Sequence, residues 1–163
     1  MHTRYNIFII ITVLLLGTAS IKEAAASRGI GLVPIKTSTG KQIGLYKGSH
    51  ALLIGISDYT DGFPDLESIV SEIKQLENAL TGKGFSVTKV INPNSRQMER
   101  GFRDFIDKHG FVPDNRLLLF FAGHGYTRDN GRKGYLVPAD APDPRVDEIG
   151  FARKALPMSQ LLA

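Results

Sequence analysis

One histidine in this chain lies where a side chain could do chemistry. His124 has a glycine on each side and follows closely on Leu117 to Phe121, a run of large apolar residues. Such a run is typical of a strand that is buried on both faces of a parallel sheet. In open α/β sheets, catalytic groups lie just beyond the carboxyl ends of the strands, which is where this sequence puts His124. The position makes His124 a candidate general acid or base.

The glycines beside His124 could serve the same chemistry. Glycine adopts backbone angles that other residues avoid, and it lets a ligand come close to the main chain. The N–H of Gly125 is therefore a candidate oxyanion donor next to an imidazole base. The alternative is a turn histidine whose ring nitrogens are satisfied by hydrogen bonds, and the residues alone leave both interpretations open.

The other histidines do not share this position. His2 lies in a leader sequence, His50 precedes a predicted strand, and His109 ends a predicted helix, where a cation is favourable without any chemistry. The sequence contains no G-x-S-x-G, G-x-G-x-x-G or phosphate-loop pattern, and no two histidines have the spacing of metal ligands.

The acidic residues do not indicate a metal site. The stretch from Asp140 to Glu148 lacks the periodic ligands of a calcium loop, so a solvated loop is favoured over a calcium site. Asp58, Asp61 and Asp65 are interpreted as turn and helix-cap residues.

Alternating strands and helices must position His124. Short apolar or β-branched runs predict strands, and apolar side chains spaced three and four apart predict helices. The predicted strands are Ala51 to Ile56, Phe85 to Ile91, Leu117 to Phe121 and Gly134 to Val137. One predicted helix carries Leu66, Ile69, Val70, Ile73, Leu76 and Leu80, and the other carries Met98, Phe102, Phe105 and Ile106. This order predicts an α/β fold with a mostly parallel sheet and helices on both faces.

Polar residues, glycines and a proline mark the predicted helix ends. The markers are Asp65 as N-cap of the first helix, Gly82 and Gly84 as its stop, Asn94 or Ser95 as cap of the second, and Gly110 as its end. A third helix is predicted to begin at Pro157, and the chain ends about two turns later.

The N-terminus has the order of a secretory signal peptide. Arg4 precedes an apolar run from Ile7 to Leu16, and Ala24-Ala25-Ala26 offers a cleavage site before Ser27. The apolar run is shorter than the roughly 20 residues of a membrane-spanning helix, although an uncleaved N-terminal anchor is the alternative. We expect a periplasmic or secreted protein with a signal peptide over 1–26 and no stable membrane insertion after cleavage. After the signal peptide we expect a linker over 27–48, with one short edge strand, and then one domain over 49–163.

Composition limits the classes of partner and the means of stabilisation. The formal charge is +4, with Lys and Arg interspersed among Asp and Glu, so nucleic-acid binding is not favoured. The chain has no cysteine, and an exported domain without disulfides depends on its hydrophobic core. A chain of 163 residues is long enough for one such core.

Four segments of the chain resemble bacterial caspase-like cysteine peptidases, which are relatives of caspases and metacaspases. The segments are ALLIGISDY (51–59), GFSVTKV (84–90), RLLLFFAGHGY (116–126) and GYLVPADA (134–141), and the resemblance covers residues 45–163. It implies a caspase-like three-layer sandwich and a Cys/His dyad that cleaves a peptide or protein substrate without a cofactor or metal. His124 matches the dyad histidine, and Gly125 matches the residue whose N–H helps to build the oxyanion hole.

The sequence departs from this family at the nucleophile. The caspase cysteine lies about 50 residues after the histidine, which is roughly position 174. This chain ends at Ala163 and contains no cysteine. We expect a domain truncated before its nucleophile, inactive as it stands and marginally stable because a central strand is missing. The alternative is a catalytically inactive caspase-like domain that acts as a binding or regulatory module. The absence of arginine between Gly55 and Ser68 argues against the aspartate preference of caspases proper.

Overall fold

The computed structural model describes residues 34–36, 39, 42–44 and 46–161. The predicted signal peptide and most of the predicted linker lie outside the described residues. Within the linker, β1 (Pro34–Lys36) and β2 (Gln42–Gly44) form an antiparallel pair, where the sequence predicted one short strand. In the part of the chain that the structure describes, no helix is long and apolar enough to cross a membrane.

Three parallel strands form the central sheet. Their order is β4 (Ser86–Ile91), β3 (Gly48–Gly55) and β5 (Asn115–Ala122). Gly55 at the end of β3 is in register with Ile91 on one side and Ala122 on the other. The carboxyl ends of all three strands therefore lie side by side, and the segments that follow them share one edge of the sheet.

One helix covers each face of this sheet. Successive side chains of a strand point to opposite faces. Ala51 and Leu53 therefore pack with α1 (Ile69–Gly82), whereas Leu52 and Ile54 pack with α2 (Ser95–His109). All four side chains are completely buried, as a central parallel strand requires. The predicted α/β architecture with helices on both faces is confirmed.

The second helix begins as the sequence predicts, and the first does not. The Asn94 side chain accepts a hydrogen bond from the Gln97 N–H at 2.9 Å, and Gln97 Oε1 accepts one from the Asn94 N–H at 3.0 Å, which is a capping box. The prediction that Asp65 caps the first helix is wrong, because α1 begins only at Ile69, after Ser68. Asp65 Oδ1 instead accepts the Tyr59 N–H at 2.7 Å, so it organises the loop before the helix.

A second, antiparallel sheet follows β5. Its strands are β6 (Gly125–Arg128), β7 (Lys133–Leu136) and β8 (Leu156–Pro157). The predicted strand near Gly134 exists, but its predicted place in the parallel sheet is wrong. Parallel strands need a crossover of about a dozen residues or more, whereas residues 129–132 alone connect β6 to β7. Asp129, Asn130 and Gly131 have φ angles of 54°, 55° and 87°, which form a tight hairpin turn.

The helix predicted from Pro157 is also wrong. Pro157 has an extended backbone (ψ 129°), and Leu156–Pro157 pairs with Tyr135 and Leu136 as β8, so no helix can start there. A single 3₁₀ turn follows over Met158–Gln160. The helix in this region is α3 (Glu148–Lys154), which begins where the Asp147 carboxylate accepts the Gly150 N–H at 2.8 Å.

The strand that leads to His124 is less buried than predicted. Leu119 in the middle of β5 is 42% exposed, whereas its register partner Leu52 on β3 is fully buried. Within the described residues β5 pairs only with β3, so its other edge has no strand beside it. An open edge next to apolar side chains is a place where a further strand can pair.

Candidate active site

His124 lies between the two sheets, just beyond the carboxyl end of β5. The strand ends at Ala122, whose carbonyl accepts the Ile56 N–H at 2.9 Å, and β6 begins at Gly125. The turn therefore holds only Gly123 and His124. The His124 side chain is 8% exposed, which makes it one of three buried polar residues in the described part of the chain.

The imidazole is held by a main-chain carbonyl. His124 Nε2 lies 2.9 Å from the Pro64 oxygen. A carbonyl oxygen only accepts hydrogen bonds, so Nε2 carries the hydrogen and Nδ1 of the neutral ring is the basic nitrogen. A positive charge formed on the ring is stabilised by the same carbonyl dipole. The ring is thus arranged to take a proton at Nδ1.

The loop that presents the Pro64 carbonyl is itself fixed at several points. The Leu66 N–H donates to Ser57 O at 2.7 Å, and the Thr60 N–H donates to Ala139 O at 2.9 Å. Asp65, the wrongly predicted helix cap, adds its bond to the Tyr59 N–H. These bonds hold the loop closed around Pro64, which keeps its carbonyl directed at His124.

Tyr59 positions the backbone of His124. Its hydroxyl oxygen accepts the His124 N–H at 2.7 Å, and the two rings are 4.8 Å apart. Burial raises the pKa of the Tyr59 hydroxyl well above its ordinary value of 10.0, against an opposing effect of the hydrogen bond from His124. The hydroxyl therefore stays protonated at neutral pH, and it serves here as a neutral acceptor.

Gly123 is required by this contact. A Cβ at position 123 would lie 2.8 Å from the Tyr59 hydroxyl oxygen and 2.9 Å from the end of the Phe121 ring. Both distances are shorter than any normal carbon contact, so a side chain at this position would displace Tyr59 from His124.

The direction of the Gly125 N–H follows from the pairing of β6 with β7. The Val137 N–H donates to His124 O at 3.0 Å, so position 124 hydrogen-bonds toward β7. Successive main-chain groups of an antiparallel strand point to opposite sides. The Gly125 N–H therefore points away from β7.

Aromatic rings enclose the histidine on the side of α3. The Phe63 ring lies 5.3 Å from His124 and 6.4 Å from Phe151, whose side chain is fully buried. Phe151 also meets Tyr126 at 5.1 Å and Tyr135 at 5.8 Å. The packing of α3 thus supports the residues that hold His124.

Asp58 belongs to a polar network at the ends of β3 and β4. Asn92, whose φ is 49°, donates from Nδ2 to Asp58 Oδ2 at 2.8 Å and accepts the Ser57 N–H at 2.7 Å. Asp58 Oδ1 also accepts the Ser57 hydroxyl at 2.9 Å. The network fixes the start of the loop that carries Tyr59. Asp61 is exposed in the same loop, and no bond of its carboxylate contributes to this arrangement.

The acidic stretch after β7 has structural roles. Asp140 Oδ1 accepts the Ser95 N–H at the start of α2 at 2.8 Å, and Asp143 is ion-paired with Arg145. Asp147 caps α3. Among the described residues no group of three or more His, Asp or Glu side chains could hold a metal ion.

His50 and His109 lie at the other end of the sheet. His50 is within β3 rather than before it, and His109 is the last residue of α2, as predicted. Neither is near His124, because the amino and carboxyl ends of parallel strands lie at opposite edges of the sheet. Sequence patterns did not single out Pro64, Tyr59 or Phe63 as site residues, and only the resemblance of the segment 51–59 drew attention to Tyr59.

We predict that Tyr59→Phe leaves the buried His124 N–H without an acceptor. An unsatisfied buried donor costs about 1–3 kcal/mol, so the free energy of unfolding should fall by about that amount. Urea denaturation followed by circular dichroism measures it. Tyr126→Phe is the matched control, since it removes a hydroxyl from the same aromatic cluster but not this acceptor. Equal stabilities of the two variants would mean that the bond contributes nothing.

Comparison with known proteins gives a family for more than half of the chain. A family model described as Caspase domain matches residues 49–160, which is more than half of the chain. A search of curated proteins found no significant match. The matched residues include His124, Gly125, Tyr59 and Pro64. The central parallel sheet with helices on both faces is consistent with a caspase-like fold, and the family is one of cysteine peptidases. The chain therefore belongs to the caspase-domain family.

Proposed function

We propose that this chain is the histidine-bearing part of a caspase-like cysteine endopeptidase, with its nucleophilic cysteine beyond Ala163. The observation that carries the proposal is the hydrogen bond between His124 Nε2 and the Pro64 carbonyl at 2.9 Å. It fixes one tautomer and one ring orientation at the carboxyl end of β5. With Nε2 held by this carbonyl, Nδ1 is the nitrogen that can take a proton, as a general base requires.

The proposed first step is attack by the cysteine sulfur on the scissile carbonyl carbon. The thiol proton passes to His124 Nδ1, a carbon–sulfur bond forms, and the carbonyl π electrons move to the oxygen. The Gly125 N–H donates to that oxygen as negative charge develops. The Pro64 carbonyl stabilises the imidazolium through the hydrogen on Nε2.

The later steps return the proton and release both products. The imidazolium gives its proton to the amine nitrogen as the carbon–nitrogen bond breaks, which leaves a thioester. A water oxygen then bonds to the acyl carbon and the carbon–sulfur bond breaks. One water proton reaches the departing sulfur through His124, and the other stays with the acid. No cofactor takes part in this sequence.

The open edge of β5 supports this origin for the cysteine. A parallel strand added beside β5 would pair with its open edge and end at the same sheet edge as β5. A residue at the carboxyl end of that strand would lie in the neighbourhood of His124 and Gly125.

The charge of the loop around His124 bears on substrate preference. From 56 to 68 this loop contains four acidic residues and no Lys or Arg, the acidic ones being Asp58, Asp61, Asp65 and Glu67. All four residues are exposed, so each repels a substrate carboxylate through solvent, and the four repulsions add. We therefore propose that substrates with aspartate next to the scissile bond are disfavoured.

The test is covalent labelling of the longer protein in its host with a peptide-based reagent that reacts with catalytic thiols. We expect mass spectrometry to find the label on a cysteine after residue 163, and the labelled protein to begin at Ser27 because the signal peptide has been removed. A gene that stops after codon 163, or a downstream sequence without cysteine, would instead establish the binding or regulatory module. An intact Met1 in a cytoplasmic fraction would contradict export alone.

A further inference from the structure

Two histidines are stacked at the end of the sheet opposite His124. The rings of His50 on β3 and His109 on α2 have centroids 3.8 Å apart and planes inclined by 17°. The Phe105 ring packs against His109 at 5.3 Å, one turn earlier in the helix. This histidine stack, His50 and His109, joins the last turn of α2 to the first residues of the sheet.

The surroundings of His50 suit the neutral ring. Asn115 Nδ2 donates to the His109 carbonyl at 3.1 Å, which turns the amide oxygen of Asn115 toward His50. A Cβ on Gly48 would lie 2.7 Å from both that oxygen and His50 Nε2, so the two atoms face one small gap that glycine leaves open. His50 Nδ1 is buried and has no hydrogen-bond partner in the described part of the chain. A proton on Nδ1 would therefore be buried without an acceptor.

The charges around the stack oppose a second positive charge. Lys108 precedes His109 on α2 and disfavours protonation of both rings. Asp114, just before β5, is ion-paired with Lys47, just before β3, at 3.1 Å. Arg116 on β5 lies over the Phe85 ring on the other face of the sheet. Within the described residues no carboxylate, including Asp104 and Asp107 on α2, hydrogen-bonds to either imidazole.

We propose that the histidine stack is an acid-sensitive contact that holds the C-terminal end of α2 against the amino end of the sheet. Both rings pack while they are neutral, and their protonation places like charges in contact and releases the last turn of the helix. The inference does not depend on the proposed peptidase function. It concerns the end of the sheet that takes no part in that chemistry.

The direction of the pH effect follows from the two histidines. Burial, and after it Lys108, lowers the pKa of His50 below 6.5; burial, His50 and Lys108 lower the pKa of His109 below the same value. The helix C-terminus favours a cation at His109 and opposes these effects. The unfolded chain binds protons more readily than the folded one, so the contribution of the stack is fully present above about pH 6.5 and is lost as the pH falls further.

The test is hydrogen exchange of the full chain, read as protection factors for the amides of residues 106–109. We expect protection to fall about tenfold or more between about pH 7.5 and about pH 5, while the first turns of α2 keep theirs. His109→Phe retains a stacked ring that cannot ionise, so it should reduce the fall to the part that His50 alone contributes. His124→Gln is the control and should retain it.

Two results would overturn the proposal. One is an equal loss of protection in His109→Phe, which would place the titrating group elsewhere. The other comes from titration of the unaltered chain by nuclear magnetic resonance, so it does not depend on whether a variant folds. If the ring protons of His50 and His109 titrate at or above pH 6.5, about the value of an unperturbed histidine, protonation does not oppose the stack.

Discussion

In the complete protein, His124→Ala is expected to lower kcat/KM for peptide cleavage by about 10²–10⁴-fold. Without the imidazole, the thiol must lose its proton to water and the leaving amine must take one from water. The Gly125 N–H and the substrate contacts remain, so slow residual turnover should persist. Initial rates with a fluorogenic peptide at saturating and limiting concentrations measure the change in kcat and in KM separately.

His109→Gln provides the matched control for this prediction. It removes an imidazole from the opposite end of the sheet. The comparison is made above about pH 7.5, where both histidines of the stack are neutral in the unaltered protein. There the rate of the variant should stay within twofold of that of the unaltered protein. Labelling by the thiol-directed reagent should also weaken in His124→Ala but not in His109→Gln. Turnover that is undiminished in His124→Ala would show that this histidine is structural and that another group handles the proton.

The largest effect on stability is expected for Phe151→Ala. The side chain is fully buried and meets rings from three other parts of the chain: Phe63, Tyr126 and Tyr135. Truncation of a buried phenylalanine removes its burial free energy and leaves a cavity, at a cost of about 3–5 kcal/mol. Small domains are stable by only about 5–15 kcal/mol, so the variant should lose between about a fifth and all of the stability of the domain.

Two further variants test whether the loss comes from buried packing. Phe151→Leu keeps most of the side-chain volume and should lose less than the alanine variant. Val146→Ala lies five residues earlier and is 87% exposed, so its effect should stay within about 0.5 kcal/mol. Urea denaturation of all three variants gives the free energies of unfolding. A loss below about 1 kcal/mol for Phe151→Ala would mean that α3 does not hold the aromatic cluster together.

The sequence was sufficient to place His124 but not its partners. An apolar run followed by glycines marks the end of a buried strand, and the rules of α/β sheets say which end carries a site. Tyr59 and Pro64 lie 65 and 60 residues away from His124 along the chain. Their contacts depend on how the loop after β3 folds back over β5, and no local spacing encodes that path.

Three wrong predictions have the same physical origin. Asp65 has the residue type and position of a helix cap, yet its carboxylate is engaged by the N–H of Tyr59 in a loop that folds back on itself. The segment at Gly134 has the residues of a strand, and strand residues alone do not tell whether the partner strand is parallel or antiparallel. The same holds for Pro157, because its ring suits the first turn of a helix and an extended strand equally well. In each case a contact outside the segment itself decided between two local possibilities.

The two ends of α2 are held by groups that differ in their response to pH, and this difference has a consequence for the domain. Its first turn is held by the Asn94–Gln97 amides and by the bond of Ser95 to the Lys154 carbonyl at 2.7 Å, groups that do not titrate between neutral and mildly acidic pH. Its last turn rests on the histidine stack. The two ends of one helix therefore differ in their response to pH. Mild acid would fray α2 at the far edge of the sheet, while its first turn, and with it the surroundings of His124, stays in place.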